Sequence, residues 1–216
     1  MSLDIMLKQL AEGMVTSFEI FSLTLIFSLP LGLIVSLGRM CNSFLIKNIT
    51  RIYISIMRGT PLMLQLLVVY FGPYYIFKLP LSPNYRFYAV IIAFVLNYAA
   101  YFAEIYRSGI ESMPSGQYEA AKVLGYSRFQ SFFKIILPQV IKRIIPTITN
   151  EVITLIKDTS LAFAIAVQEM FTVAREISSA EKSMSAFIAA GIFYYIFNFF
   201  VAVVMETIEK KLNYYK

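Results

Sequence analysis

Apolar residues along this chain come in long blocks, with the polar residues gathered between them. A helix rises about 1.5 Å per residue, so about 20 apolar residues are needed to cross about 30 Å of hydrocarbon. Five stretches reach that length: about 14–37, 52–77, 88–106, 144–167 and 187–204. The third ends in polar residues, and the fourth is interrupted by Glu151, Lys157 and Asp158. Pro80 and Pro83 discourage helix between the second and third, which predicts a short turn over 77–83. The pattern predicts an all-α polytopic membrane protein with about five transmembrane helices, a single transmembrane domain over 1–216 in contact with the lipid bilayer. No internal repeat is visible, which counts against a secondary transporter built from inverted halves.

Composition strengthens this reading. Apolar residues make up 58% of the chain and charged residues 15%, against about 45–50% and about 25% in soluble domains. There is no histidine, and Cys41 is the single cysteine. A histidine-based metal site, a histidine-dependent triad and an intrachain disulfide are therefore excluded. None of the nine glycines is followed by lysine, so there is no Walker loop for ATP. No catalytic site, cofactor or metal is expected.

The net charge of +6 would suggest nucleic acid in a soluble protein. Here the basic residues lie between apolar blocks and read as a topology signal, so no nucleic-acid partner is expected. Arg39, Lys47, Arg51, Arg107, Lys122, Arg128, Lys134, Lys142, Arg143, Lys210, Lys211 and Lys216 fall on one side, twelve in all. Lys8, Lys78, Arg86, Arg175 and Lys182 fall on the other. The richer side is cytoplasmic by the positive-inside rule, which puts the N-terminus outside and the C-terminus inside. An odd number of spans gives the same answer. The opening MSLDIMLKQLAEG carries Asp4 and Glu12 and does not read as a cleaved leader, so the first block is expected to stay as a span.

The segment at about 108–143 is too polar to span and too patterned for a loose loop. Ser115 is placed to cap a helix through GQYEAAKVL, and Gly125 to end it. Ser127 with Gln130 three residues on makes a capping box for a second helix. Its apolar positions are Phe129, Phe132, Phe133, Ile136 and Leu137, and Pro138 interrupts them. The expectation is two short cytoplasmic helices around a glycine corner.

Glu119-Ala120-Ala121, then Gly125 after three residues, then Ile135-x-Leu137-Pro138 after nine more, resembles the EAA motif of bacterial ABC importer permeases. Arg58-Gly59-Thr60-Pro61-Leu62 with Gln65, Glu104-x-x-Arg107-x-Gly109-Ile110, and Lys157-Asp158-Thr159-Ser160-Leu161 extend the resemblance over nearly the whole chain, and toward the subfamily that imports polar amino acids. The resemblance implies a type I importer permease fold in a bacterial inner membrane. It also implies a dimer of permeases, either two copies or this chain with a sister subunit. Two ATPase subunits, an extracytoplasmic amino-acid-binding protein and a polar amino acid substrate, with basic amino acids and cystine among the candidates, complete the assembly it implies. Glu119, Ala120, Ala121 and Gly125 would then sit in a cleft of the ATPase and transmit its closure.

Charges inside the spans have two readings. Ionisable groups in a membrane cost about 2.5–3.5 kcal/mol each on insertion scales and so face a cavity or a partner. Asn97 and Glu104 lie seven residues apart on one helix face, and Asp158, Thr159 and Ser160 sweep about 200° of another. These five are candidate substrate ligands, a carboxylate beside hydroxyls suiting a zwitterion. The competing reading is internal pairing, Lys157 with Glu151 or Glu104 with Arg107. Two other functions remain, an ion-coupled secondary amino acid transporter and a membrane scaffold or sensor.

Overall fold

The computed structural model describes residues 1–212. Lys216, counted above on the cytoplasmic side, lies outside them. Helix α1 runs over Leu3–Met40, α2 over Phe44–Gly59, α3 over Leu62–Phe77 and α4 over Tyr85–Glu111. The short α5, Ser115–Val123, and α6, Arg128–Ser131, precede a π-helical turn at Phe132–Ile136. Then come α7 over Leu137–Asp158, a 3₁₀ segment over Thr159–Ile165, α8 over Met170–Glu181 and α9 over Ser185–Leu212.

All five apolar stretches are helical, but their shapes differ. Among the described residues α1, α4 and α9 are long and apolar enough to cross a membrane. The expected second span is instead two helices, α2 and α3, whose axis bends by 110°. Its break falls at Thr60 and Pro61, where both residues take extended backbone. A proline disfavours helical backbone in the residue before it, which accounts for the break at that point. The expected fourth span starts earlier than its apolar pattern, because helix continues from α6 through the π turn into α7. Pro138 directly follows the π turn, a local widening of the helix, and helix runs on past it. The second helix of the cytoplasmic pair is thus not short. It is the foot of a membrane helix.

The core is built on α4. Val90, Phe94 and Phe102 are fully buried, and Ala89, Ala99, Ala100 and Ala103 let neighbouring helices come close. Helix α1 buries a stripe of small residues, with Ser17 against α8 and Gly32 against α4, and Thr24, Ser28 and Ser36 also buried. A Cβ at Gly32 would lie 2.8 Å from the Phe102 Cβ, so glycine there sets the helix separation. Small residues at this spacing drive helix association in lipid, where packing replaces the hydrophobic effect. Helix α9 leaves Ile188, Ile192, Tyr195, Ile196, Phe199 and Phe200 exposed, as a lipid-facing helix would.

Candidate functional site

Helix α5 begins just after Pro114, and Ser115 makes no side-chain cap. The capping expected of Ser115 is replaced by proline at the N-cap, whose backbone favours an extended start. The C-terminal end behaves as its sequence suggests. Gly125 has φ +79°, a region that L side chains rarely adopt. Gly125 N–H donates to the Lys122 carbonyl and Tyr126 N–H to the Ala121 carbonyl, both at 3.0 Å. This pair of bonds is the Schellman closure. Ser127 Oγ accepts from Gln130 N at 3.2 Å, and Gln130 Oε1 accepts from Ser127 N at 2.9 Å, which completes the capping box.

The corner displays apolar side chains. Val123 is 87% exposed, Leu124 72% and Phe129 70%. Glu119 and Ala120 are exposed beside them, while Ala121 is buried within the chain. Of the alanine pair, only Ala120 is thus left for a partner.

The charged residues of the spans separate into distinct settings. A cavity of about 500 Å³ is lined by Arg58, Tyr101, Glu104, Arg107, Arg143 and Glu151, among others. Glu104 is held by Arg107 Nη2 at 2.6 Å and faces Arg58 at 3.8 Å. Arg107 continues to Glu111, and the Arg58 guanidinium lies 5.4 Å from the centre of the Tyr101 ring. The pairing of Glu104 with Arg107 is present, whereas Lys157 and Glu151 do not pair among the described residues.

Asn97, two turns before Glu104, does not line this cavity. Its Nδ2 donates to the Met57 carbonyl at 3.1 Å and to Gln65 Oε1 at 2.9 Å. It thereby ties α4 to both sides of the break between α2 and α3. Asp158 accepts from the Tyr98 hydroxyl at 2.7 Å. Thr159 is buried and donates to the Ile156 carbonyl, and Ser160 donates to the Lys157 carbonyl. Asn97, Glu104 and Asp158 therefore sit in three separate hydrogen-bonded settings within the chain.

Sequence reasoning missed Glu169. It is fully buried and forms the N-cap of α8. Its carboxylate accepts from Phe171 N at 2.8 Å, Thr172 N at 2.7 Å, Thr172 Oγ1 at 2.9 Å and the Tyr194 hydroxyl at 3.1 Å. Ser17 Oγ approaches at 3.4 Å. One acid thus joins α1, α8 and α9. The local signal was a threonine three residues after an acid, but glutamate is not among the favoured N-cap residues, and its other partners are far away in sequence.

The family described as "Binding-protein-dependent transport system inner membrane component" matches residues 28–214. The chain belongs to this family. It is thus an inner-membrane permease subunit, and the all-α importer fold expected from the motifs is the fold observed. A relative named L-cystine transport system permease protein TcyB, from Bacillus subtilis, is 36% identical, covering 95% of this chain and 87% of its own length. The arginine transport system permease protein ArtQ of the same organism is 34% identical, covering 94% and 91%. A crystal structure of an amino acid ABC transporter with histidines aligns with TM-score 0.87 at 28% identity, over 98% of this chain and 99% of that one. The MetNI methionine transporter aligns with TM-score 0.74 at 15% identity, a likeness of fold.

Proposed function

We propose that this permease imports polar amino acids, driven by ATP hydrolysis on a separate ATPase dimer that docks at the Gly125 corner. The observation that carries this reading is the exposed apolar tip of Val123, Leu124 and Phe129 on a corner locked by the Gly125 closure and the Ser127–Gln130 box. A rigid apolar knob in water needs a partner surface. The knob is rigidly joined to α7, because α6, the π turn and α7 run on without a break. Closure of the ATPase against Glu119, Ala120 and the Gly125 corner, with Ala121 buried behind them as packing, would therefore tilt α7 and the Asp158–Ser160 segment at its far end. This is alternating access through a two-state element.

The same account puts the coupling segment and C-terminus in the cytoplasm and the N-terminus outside, with an extracytoplasmic binding protein delivering substrate. A second permease, identical or sister, would complete the pathway. Asn97, Glu104, Asp158, Thr159 and Ser160 are its substrate residues in this reading, with Glu104, Asp158 and Ser160 partly exposed and Asn97 and Thr159 buried behind them. The names of relatives that transport cystine or arginine support an amino acid substrate.

Asp158→Asn tests the substrate role. It keeps size and an acceptor for Tyr98 but removes the charge. Uptake of L-arginine should fall at least tenfold in reconstituted complex, with basal ATPase activity kept. Unchanged uptake, or failure to assemble, would make Asp158 a structural residue only.

A further inference from the structure

A second cavity, of about 540 Å³, lies at the other end of the bundle from the coupling corner. It is lined by Leu67, Tyr70 and Phe71 of α3, Arg86 at the start of α4, Phe163 of the 3₁₀ segment and Arg175 of α8, among others. Arg86 and Glu111 are 25 residues apart on α4, about 37 Å along a helix, so this cavity and the coupling corner face opposite sides of a membrane.

Its two guanidiniums differ from those at the cytoplasmic end. Arg58 and Arg107 share carboxylates there. Among the described residues neither Arg86 nor Arg175 forms an ion pair. Arg86 is instead held by neutral groups: Nε donates to the Tyr70 hydroxyl at 3.3 Å and Nη1 to the Ala166 carbonyl at 3.5 Å. The Arg175 guanidinium lies 5.4 Å from the Phe163 ring centre. Ala166 ends the 3₁₀ segment in the left-handed region, with φ 56°, a conformation an alanine holds only when its surroundings impose it. That turn aims its carbonyl at Arg86. The acid nearest in sequence, Glu176, accepts from Gln168 at 2.9 Å.

Two positioned guanidiniums without an anion, in an aromatic-walled cavity, are suited to a carboxylate carrying an organic group.

We infer that this cavity is a receiving site for the α-carboxylate of the arriving amino acid, with Arg86 and Arg175 as its ligands. The inference rests on the amino acid import proposed above. It also gives the site a chemical preference: amino acids, whatever their side chain, over the corresponding amines.

The test reads the cavity itself. Cys41→Ser removes the single native thiol, and Ala164→Cys on the cavity wall takes a bimane fluorophore. The labelled permease, assembled with its ATPase in phosphatidylcholine nanodiscs, is titrated with L-arginine, L-glutamine, L-cystine and agmatine, the decarboxylated form of arginine. The expected result is a saturable change with at least one amino acid and at least tenfold weaker response to agmatine. Arg86→Gln and Arg175→Gln should each weaken it at least fivefold, and the lysine variants should restore part of it. Equal responses to arginine and agmatine, or no effect of either glutamine variant, would overturn the inference. So would a response that needs the binding protein, which would assign the carboxylate to that partner. A response abolished by added phosphatidylglycerol would assign the cavity to lipid and overturn it too. Uptake is measured in parallel on the unlabelled complex: if no amino acid is transported at all, the import reading fails instead.

Discussion

Glu169 and Glu104 are both acids on helices of one membrane bundle, held in opposite ways. Glu169 is fully buried and is surrounded by neutral donors from α1, α8 and α9. Glu104 lines a cavity, and its partners are the long cationic side chains of Arg107 and Arg58. Two glycines make the same contrast. Gly13 is needed for space, since a Cβ there would lie 2.8 Å from the Met170 backbone. Gly125 has nothing within 4 Å of the added atom and is needed for its positive φ. Around Glu169 and Gly13 the helices are closed by contacts that leave nothing to exchange. Glu104 and Gly125 belong to groups whose partners can change. A membrane protein that moves needs both: a fixed knot that defines the bundle, and charges and surfaces left free for substrate and motor.

The comparison is broken most decisively at the knot. Glu169→Ala leaves several buried donors unpaired, which costs on the order of 3 kcal/mol or more. The solubilised chain should lose its monodisperse elution peak at a markedly lower temperature. Glu104→Ala should leave that temperature nearly unchanged, and an equal drop for both would erase the distinction. Gly13→Ala should come next, at roughly 1–3 kcal/mol from overpacking against backbone, read by the same thermal assay, with Gly116→Ala as a neutral control because nothing lies within 4 Å of it.

Gly125→Val sharpens the contrast from the other side. The strained corner costs about 1–2 kcal/mol locally, so the chain should insert and elute normally while uptake falls to background. Normal uptake would remove the docking role. The smallest effect is expected from Glu104→Gln. It keeps the shape of the cavity and weakens the Arg58 and Arg107 contacts, so uptake at subsaturating substrate should fall several-fold with basal ATPase activity intact. A lost complex would mean that Glu104, like Glu169, is structural.

What the sequence carried is what local physics decides. Gly125 as a corner, the Ser127–Gln130 box and the turn expected over 77–83, which falls at 78–84, all follow from residues within a few positions of one another, and all are present. The long apolar blocks are helices for the same reason. Where distant contacts decide, the pattern was silent. Tyr194 sits in an aromatic run that reads as lipid contact, yet its hydroxyl reaches Glu169. Ser17 looks like one small residue of a span, yet it accepts from Met170 N on α8. The bend between α2 and α3 was hidden because Pro61 near a helix start looks ordinary, and 52–77 as a whole is apolar enough to read as one span. Asn97 reveals why the bend is stable: its amide holds Met57 before the break and Gln65 after it.

The central claim is that the exposed corner couples ATP hydrolysis on another chain to movement of the bundle. The direct measurement is amino acid uptake into proteoliposomes holding this permease, its ATPase and its binding protein, with ATP supplied inside or withheld. The account predicts uptake that requires ATP, persists when sodium and proton gradients are collapsed, and disappears in Gly125→Val together with retention of the ATPase on the purified permease. Uptake by the permease alone, driven by an ion gradient and indifferent to Gly125→Val, would contradict it.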